Sequence, residues 1–314
     1  MGETMMAVSP TGQDLAGTGP VRLAPAGGES NVAANLAGLG HRVTWASRVG
    51  DDALGRRLVS ALSAQGIDVS MVEYDAEHRT GLMVKDVATT GTRVTYYRDS
   101  SAASYLSTAD VPRLRAGHAR VMHLSGVTPA LSTRCDDLMT SLVQDRALGE
   151  ECSVSFDVNL RPALWRDTAS AARRLAELAN AADVVFVGLD EAQALWDSRL
   201  PSQLREVLPH PRFLVVKDGP RGATELSEGW PAVTVPGLAC AVVEAVGAGD
   251  AFAAGWLAGY LRGGQAAQRL ALGHLVARTA LVTTTDVGAP PDPAEVDAVW
   301  ARRGGTLEGN RGGP

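Results

Sequence analysis

The chain has 314 residues, of which 45% are hydrophobic and 20% are charged, and its formal net charge at pH 7 is -6. The length and apolar fraction allow a full hydrophobic core, and the acidic balance argues against a nucleic-acid backbone as the partner. Charge or glycine interrupts the longest apolar runs, and the N-terminus lacks the basic-then-apolar pattern of a signal peptide, so we expect a cytoplasmic protein without a membrane partner.

Cysteine and histidine usage gives no sign of a disulfide framework or a zinc site. Cys135, Cys152 and Cys240 are odd in number, far apart and without a CxxC pair. This pattern favours reduced, buried thiols. The six histidines are scattered and no HExxH occurs, so no zinc site is predicted.

The first motif is a double glycine, Gly27-Gly28, ahead of a helix predicted over 32–39 from apolar residues at helical spacing. Glycine lets a backbone approach a ligand closely, which would suit a binding turn. A plain loop, with Ser30 or Asn31 capping the helix, explains this segment equally well.

A β-branched strand over 43–49 and a helix over 51–66 then form a βα pair. From residue 72 the pattern changes, because strands over 82–84 and 94–97 are joined by a short turn-rich segment over 88–92. This spacing predicts a hairpin rather than a crossover. A hairpin that interrupts α/β alternation indicates a small sheet beside the main one, which would make a natural lid over a site.

Regular alternation resumes after residue 110, with strands over 121–124, 153–157 and 184–187 and helices over 131–148 and 169–181. This predicts a parallel sheet that is covered on both faces and binds ligands beyond the carboxyl ends of its strands. The polar run at 157–162 follows one of these strands, with a solvated loop as the alternative interpretation. Asp190 and Glu191 begin a helix, where compensation of the helix dipole is favoured over metal binding.

The last third carries the motif that points most directly to chemistry. Strands over 213–217, 224–226, 233–235 and 239–243 lead to the run Val-Val-Glu-Ala-Val-Gly-Ala-Gly-Asp-Ala-Phe at 242–252. We interpret this run as an apolar strand, a small-residue turn and a helix from Ala251 to about Arg262. Unpaired N–H groups from Gly247 to Asp250 would bind an anion there. Asp250 would repel a phosphate unless it accepts a proton from the attacking hydroxyl, and on this segment alone a plain N-cap is an equal alternative.

Helices over 270–282 and 293–300 complete a single α/β domain over residues 1–302, and the glycine-rich end predicts a disordered tail over 303–314. No P-loop sequence, no GxGxxG after the first strand and no GxSxG elbow occurs. What remains is an anion-binding helix start with a carboxylate, a double glycine, a lid and a Lys/Gly loop. Together these features suit phosphoryl transfer to a small hydroxyl compound.

The runs Gly27-Gly28-Glu29-Ser30-Asn31 and 244–252 resemble the two signatures of the ribokinase/PfkB family of ATP-dependent carbohydrate kinases, and the similarity spans nearly the whole chain. The runs at 96–104, 123–131 and 156–165 resemble the 2-keto-3-deoxygluconate kinase branch of that family. The resemblance implies an α/β fold of the ribokinase-like type, with a three-layer α/β/α core and a mostly parallel central sheet. It also implies a small β-sheet lid contributed by about 4–25 and 72–105.

The resemblance assigns roles to individual residues around the sugar. Asp250 would be the general base, and Gly247, Ala248 and Gly249 would form an anion hole for the transferred phosphoryl group. Gly27, Gly28 and Asn31 would line the sugar site. Arg98 and Arg161 would bind the carboxylate of an acid sugar, and Tyr96 would add a hydroxyl contact.

The resemblance also implies a nucleotide and a metal. ATP would lie along Lys217, Gly219 and Gly222 and along the helix around His274. Mg²⁺ would be held mainly by phosphates and water, with Glu191 as an indirect contact.

Four features depart from the family pattern. Glu244 stands for the usual Asp, Gly188 for an Asn and Met83 for a Tyr near the sugar, and the family normally has an apolar strand ahead of Gly2-Glu3. We expect an ATP- and Mg²⁺-dependent kinase that converts a sugar acid, with 2-keto-3-deoxygluconate favoured, to its 6-phosphate. A neutral-sugar kinase of the same family and a catalytically silent sugar-binding regulator are the alternatives. An exposed lid sheet also predicts a homo-oligomer that pairs through the lid.

Overall fold

The computed structural model describes residues 1–12, 15–88 and 91–301. The predicted tail at 303–314 and residues 89–90 of the predicted hairpin loop lie outside the described residues. The strands are β1 (Met5–Pro10), β2 (Val21–Ala26), β3 (Ser47–Gly50), β4 (Val72–Asp75), β5 (Leu82–Ala88), β6 (Gly91–Tyr97), β7 (Val121–Ser125), β8 (Ser153–Asp157), β9 (Val184–Gly188), β10 (Phe213–Lys217), β11 (Ala223–Ser227) and β12 (Val233–Val235).

The α-helices are α1 (Gly28–Gly38), α2 (Ala53–Ala64), α3 (Val111–Ala116), α4 (Thr133–Met139), α5 (Thr168–Ala181), α6 (Leu189–Trp196), α7 (Pro201–Val207), α8 (Ala248–Leu261), α9 (Ala266–Leu281) and α10 (Pro293–Ala301). Short 3-10 turns lie at Ala102–Tyr105, Thr108–Asp110, Thr128–Ala130, Pro162–Leu164 and Gly219–Arg221, and a π-helical turn at Thr140–Gln144 extends α4.

A six-stranded sheet forms the centre of the molecule, in the order β12-β11-β10-β9-β8-β7. Strands β7 to β10 are parallel, and β11 and β12 are antiparallel additions. Side chains alternate between the two faces, so Leu214 and Val216 pack among α3 to α7 while Phe213 and Val215 pack against α8 and α9. This arrangement confirms the predicted three-layer α/β/α core with a mostly parallel sheet.

Helix α8 lies at the centre of the second helical layer and is buried over Ala251–Gly259. Trp256 stacks edge-on against Phe186 of the sheet, with ring centroids 5.4 Å apart. Its Nε1 donates to Glu225 Oε2 (2.9 Å), and the same carboxylate is ion-paired with Arg269 of α9. Because the sheet covers one side of α8 and α9 covers the other, the N-terminus of α8 is held in a fixed place.

A second sheet, which we call the lid, has four strands in the order β2-β1-β5-β6. Strand β5 is parallel to β1 and antiparallel to β6, which is the predicted hairpin pairing. Met6 and Leu82 pack one lid face onto a cluster that includes Trp45 and Leu58. Strand β4, which falls within the 72–105 segment assigned to the lid, pairs instead with β3 in a separate two-stranded sheet. Arg48 of β3 stabilises this pairing through an ion pair to β4.

The predicted strand over 239–243 is wrong. No strand within the described ranges pairs with this segment, and Val242 and Val243 are 61% and 57% exposed. The Val243 N–H bonds to the carbonyl oxygen of Leu281 (2.8 Å), so the end of α9 holds this backbone in place of a neighbouring strand. Helix α8 also starts earlier than the predicted Ala251, at Ala248.

The first residues run along the free edge of β7, where the Met1 ammonium donates to the carbonyl oxygen of His123 (2.9 Å). A cavity of about 730 Å³ lies along this edge, and its apolar wall includes Val32, Leu36 and Leu257. Within the described residues, β7 is an edge strand of the central sheet. In the described part of the chain, no helix has the length and apolar character needed to cross a membrane.

Candidate active site

The turn at Gly247 presents the start of α8 to the carboxyl edge of the central sheet. Gly247 has a φ of +83°, and a Cβ atom on it would lie 2.0 Å from the backbone oxygen of Asp286, so only glycine fits. The Ala248 N–H is already bonded within the turn (3.3 Å), whereas the N–H groups of Gly249 and Asp250 have no acceptor in residues 1–12, 15–88 and 91–301. Unpaired donors at the start of a buried helix attract an anion. The donors available for the predicted anion hole thus include Asp250 and exclude Ala248.

Asp250 meets the double glycine of α1. The Asn31 side-chain amide donates to Asp250 Oδ2 (2.8 Å). A Cβ atom on Gly28 would lie 2.8 Å from Asn159 Nδ2, so Asn159 would have to shift to admit a side chain there, whereas Asp250 Oδ1, at 3.5 Å, lies at ordinary contact distance. The structure therefore brings together Gly28, Asn31 and Asp250, which the sequence analysis assigned to the sugar site and the general base.

The environment of Asp250 suits a general base. Burial raises the pKa of Asp250 to about 7, and the nearby Asp157 carboxylate acts in the same direction. The hydrogen bond from Asn31 and the positive charges of Lys217 and Arg161 oppose this rise in pKa. A carboxylate that titrates near neutral pH is matched to proton transfer from a hydroxyl.

Lys217 ends β10 and links the anion hole to two acidic residues. Its Nζ donates to Asp157 Oδ2 (2.8 Å) and lies 3.5 Å from the position of a Cβ atom on Gly249. Burial disfavours the charged ammonium, but the carboxylates of Asp157 and Glu191 outweigh that effect and raise the pKa of Lys217. The sequence analysis assigned Lys217 to the nucleotide. The structure gives it a position beside the helix start, where its charge would attract a phosphate.

Glu191, the predicted indirect metal contact, has both carboxylate oxygens engaged by backbone groups. Oε1 accepts the Leu160 N–H (2.7 Å) and Oε2 accepts the Gly188 N–H (2.8 Å). Burial raises the pKa of Glu191, and Asp157 adds to the rise. Within the described ranges no group of three His, Cys, Asp or Glu residues could hold a metal ion. Because both oxygens of Glu191 are bonded to backbone N–H groups, a Mg²⁺ ion here would take most of its ligands from phosphates and water, as Mg²⁺ commonly does.

Asp157 and Asn159 belong to this site, although the sequence analysis named only Arg161 from their loop. Asp157 is 2% exposed and ion-paired with Lys217. Asn159 has a φ of +40° and directs its side chain towards Gly28. The available signal was a polar run directly after a buried strand. Arg161 is exposed, and its positive charge is the smallest of the named influences that oppose the rise in the pKa of Asp250.

Arg98 is buried and ion-paired with Glu3, which also accepts a hydrogen bond from Ser101 Oγ (2.5 Å). A Cβ atom on Gly27 would lie 2.5 Å from the Glu3 backbone oxygen, so the backbone of Glu3 packs closely against the double glycine. The Arg98 guanidinium also lies 5.8 Å from the ring centre of Tyr96. A sugar carboxylate would therefore have to share Arg98 with Glu3.

The other predicted nucleotide residues lie in two places. Gly219 and Gly222 flank the 3-10 turn after β10, in the same loop as Lys217. His274 is buried on α9, where its Nε2 contacts the Val235 carbonyl oxygen (3.0 Å) and its ring packs edge-on against Phe252. Burial lowers the pKa of His274. This histidine is packed beneath α8, and its ring does not line the turn.

An exposed apolar patch lies beside the turn of Gly247 and the end of α9. Its members are Leu238, Val242, Val243, Val246 and Val282, each at least 43% exposed. The bond from the Val243 N–H to the Leu281 carbonyl oxygen holds its two parts together. Exposed apolar side chains beside an anion site suit a flat heterocycle such as a nucleotide base.

Comparison with known proteins identifies the family of this chain. Residues 1–293 match the family described as pfkB family carbohydrate kinase. A 2-dehydro-3-deoxygluconokinase of Bacillus subtilis (strain 168) is 39% identical over 247 residues, covering 76% of this chain and 74% of that protein. A 2-dehydro-3-deoxygluconokinase of Thermoproteus tenax is 36% identical over 284 residues, covering 87% and 84%.

A solved structure gives the same result for the fold. The crystal structure of a PfkB protein from Polaromonas sp. JS666 superposes with a TM-score of 0.81 at 34% identity, covering 95% of this chain and 97% of that chain. The chain therefore belongs to the pfkB family of carbohydrate kinases. The predicted ribokinase-like fold and the predicted carbohydrate kinase activity are confirmed.

Replacing Asp250 with Asn tests both the general-base role of Asp250 and the folding stability that is lost by burying its carboxylate. Because the folded state raises the pKa of Asp250 from 3.8 to about 7, it holds this proton more tightly than the unfolded chain does. Folding stability is therefore lost as pH rises from about 4 to about 7. We expect D250N to be more stable than the wild type by roughly 1–3 kcal/mol at about pH 8, and nearly equal to it at about pH 4.

Denaturant unfolding at both pH values measures this difference, and ADP release measures turnover. We expect kcat of D250N to fall about 10²- to 10⁴-fold, as for the loss of a general base. The exposed Asp190 provides a matched control for turnover, which D190N should leave unchanged. Near-normal turnover of D250N would remove Asp250 from the mechanism.

Proposed function

We propose that the protein transfers the γ-phosphoryl group of ATP to the terminal hydroxyl of a sugar acid, with 2-keto-3-deoxygluconate as the substrate and its 6-phosphate as the product. The observation that carries this proposal is the position of Asp250, a carboxyl with a pKa of about 7 on the same helical turn as two unpaired N–H groups. The names of the two relatives that are 39% and 36% identical support the choice of a sugar acid.

Asp250 and the start of α8 carry the reaction in this proposal. The terminal hydroxyl of the sugar lies beside Asp250, which takes its proton as the hydroxyl oxygen bonds to phosphorus and the bond to the leaving oxygen of ADP breaks. The Asn31 amide fixes the Asp250 carboxylate by its 2.8 Å hydrogen bond. The N–H groups of Gly249 and Asp250 stabilise the charge on the transferred group, and Lys217 adds a positive charge 3.5 Å from the Cβ position of Gly249.

The apolar patch beside Gly247 and the loop from Lys217 to Gly222 are the surfaces that fit a nucleotide. The base would pack against Val242 and Val243, which are more than half exposed. Its phosphates would extend towards the unpaired donors of α8. When bound, ATP supplies the phosphoryl group and Mg²⁺ neutralises part of its charge. Glu191 orients the Leu160 and Gly188 backbone beneath this region.

The exposed Arg161 supports an acidic substrate over a neutral one. It lies beyond the end of β8, whereas Arg98 is buried in an ion pair with Glu3 and would bind a carboxylate only if Glu3 shared it. A guanidinium binds a carboxylate through two parallel hydrogen bonds, a geometry that a neutral sugar cannot use. Met83 lies on the same lid face as Tyr96, to which it is paired across β5 and β6, so Tyr96 is the hydroxyl that this face offers to the sugar.

A panel of sugar acids, neutral sugars and nucleosides, assayed by coupled ADP release, tests the substrate class. We expect 2-keto-3-deoxygluconate to give the highest kcat/KM, and R161Q to raise its KM about 10- to 100-fold through loss of a bidentate contact. Arg166 lies in the same loop and is 82% exposed, so R166Q is the matched control and should behave as the wild type. Preference for ribose, fructose or a nucleoside would favour a neutral-sugar kinase. Thermal stabilisation by the sugar acid without ADP release would favour a catalytically silent regulator.

We further propose that the enzyme works in the cytoplasm as a homo-oligomer that pairs through the lid. The thiols of Cys135, Cys152 and Cys240 are free, which suits a reducing compartment. Tyr97 of β6 is 62% exposed and lies on the lid face opposite Tyr96, so this face offers aromatic surface to a second copy.

Light scattering after size-exclusion chromatography tests the lid pairing. We expect the wild type to have at least the mass of a dimer and Tyr97→Glu to shift it towards a monomer, because a buried carboxylate would oppose the interface. Tyr74 is 47% exposed on β4, outside the lid, so Tyr74→Glu should leave the mass unchanged. A monomeric wild type would end this proposal.

A further inference from the structure

The distribution of lysine in this chain is unusual and concerns the active site. Lys85 and Lys217 are its only lysines, among 29 lysine and arginine residues. Both are ion-paired, with side chains 9% and 18% exposed. Lysine provides a compact point charge, whereas arginine provides a larger planar group. Every other basic residue of this class is an arginine, so the two lysines mark the two mostly buried ion pairs in which a compact cation fits.

Lys85 is the lysine to which neither the sequence nor the family resemblance assigned a role. It projects from lid strand β5, and its Nζ lies 2.8 Å from Asp286 Oδ1 and 3.9 Å from Glu244 Oε1. The side chains of these carboxylates are 11% and 28% exposed. Within the described ranges, Lys85 is the only ion-pair partner of either one.

The ion-paired cluster of Lys85, Asp286 and Glu244 lies against the anion hole. The backbone oxygen of Asp286 would be 2.0 Å from a Cβ atom on Gly247, so the Asp286 backbone forms one wall of the turn. Lys85 and Asp286 also line a cavity of about 170 Å³ together with Asn31, whose amide bonds to Asp250. Asp286 therefore links the Lys85 ammonium to the turn, and Lys85 faces the same cavity as the residue that bonds to Asp250.

The carboxylates of Glu244 and Asp286 need a compensating positive charge, which Lys85 provides. Glu244 and Asp286 bring two negative charges close to the place where a phosphoryl group must sit. Without a cation between them, they would repel that group and each other, and the loop that forms the wall at Gly247 would shift. The ammonium of Lys85 lies between the two carboxylates and joins the lid to this loop.

We propose that Lys85 is a positioning residue that acts as a built-in monovalent cation: its ammonium, carried by the lid, neutralises Glu244 and Asp286 and so completes the anion hole. This inference rests on the proposed kinase function. It explains Glu244, where the family pattern has the shorter Asp, because the longer side chain reaches towards the lid lysine. It also makes the lid a contributor to the anion hole, because Lys85 belongs to lid strand β5.

The competing explanation is that Lys85 only links the lid to the loop at Asp286, without a role for its charge. A variant of Arg22 distinguishes this structural role from charge compensation. Arg22 of β2 also joins the lid to this loop, with Nη2 donating to the Thr284 carbonyl oxygen (2.8 Å) and Nη1 to Thr284 Oγ1 (3.2 Å). Among the residues that the structure describes, Arg22 forms no ion pair with a carboxylate. R22Q therefore loosens the tether without changing the charge beside the anion hole.

The experiment measures kcat and KM of the wild type, K85M and R22Q in buffers whose only small cation, besides Mg²⁺, is tetramethylammonium, potassium or ammonium. In tetramethylammonium we expect kcat of K85M to fall about 10²- to 10³-fold, the usual effect of losing a stabilising group at such a site. Potassium or ammonium should then raise kcat of K85M at least about 10-fold, because either ion fits the space of the missing lysine ammonium group. The wild type and R22Q should not respond to the choice of monovalent cation.

A second readout does not depend on turnover. Potassium should raise the melting temperature of K85M in the absence of substrates, and leave that of the wild type unchanged. If K85M does not fold, K85R replaces it: we expect K85R to keep part of kcat without a potassium response, since its charge is retained.

If kcat of K85M and of R22Q responded in the same way to the monovalent cations, or if the wild type itself required potassium, the proposal that Lys85 acts as a built-in cation would be wrong. A wild type that phosphorylates no compound in the panel would overturn the proposed function instead, and the melting measurement would still decide the role of Lys85.

Discussion

The site depends on one constraint, an ionisable carboxyl held at the positively polarised start of a buried helix. Helix α8 is covered by the sheet on one side and by α9 on the other, so Asp250 cannot move away from the unpaired N–H groups of its own turn. Burial of this carboxyl costs folding stability, and it raises the pKa of Asp250 to about 7, within the range that a general base needs. Stability lost at this position is thus linked directly to catalysis.

Charge balance around the turn explains the surrounding residues. Carboxylates approach it from the ends of the central strands and from the loop at Asp286, and each group is compensated by an ammonium. Lys217 comes from the sheet and Lys85 from the lid, so the two cations belong to different parts of the molecule. In the proposed mechanism, a phosphoryl group binds in this acidic neighbourhood only while both compensating charges are in place.

The sequence predicted the elements of this site better than their pairing. The double glycine, the turn at Gly247 and the hairpin were found because each is a local pattern with a direct backbone reason. The ion pairs could not be read in this way, since Asp157 and Lys217 are 60 residues apart and Lys85 and Asp286 are 201 apart. The strand predicted over 239–243 was wrong because an exposed run of apolar residues has the same local sequence pattern as a buried strand.

A titration of Asp250 tests the central claim most directly. In protein labelled with ¹³C-aspartate, the carboxyl signal that is lost in D250N belongs to Asp250, and its chemical shift can be followed from about pH 4 to about pH 9. The structure predicts a midpoint near 7 in the sugar-free enzyme, and a higher midpoint in K217M, because Lys217 lowers the pKa of Asp250. A midpoint near 4, in the range of an ordinary aspartate, would contradict the account.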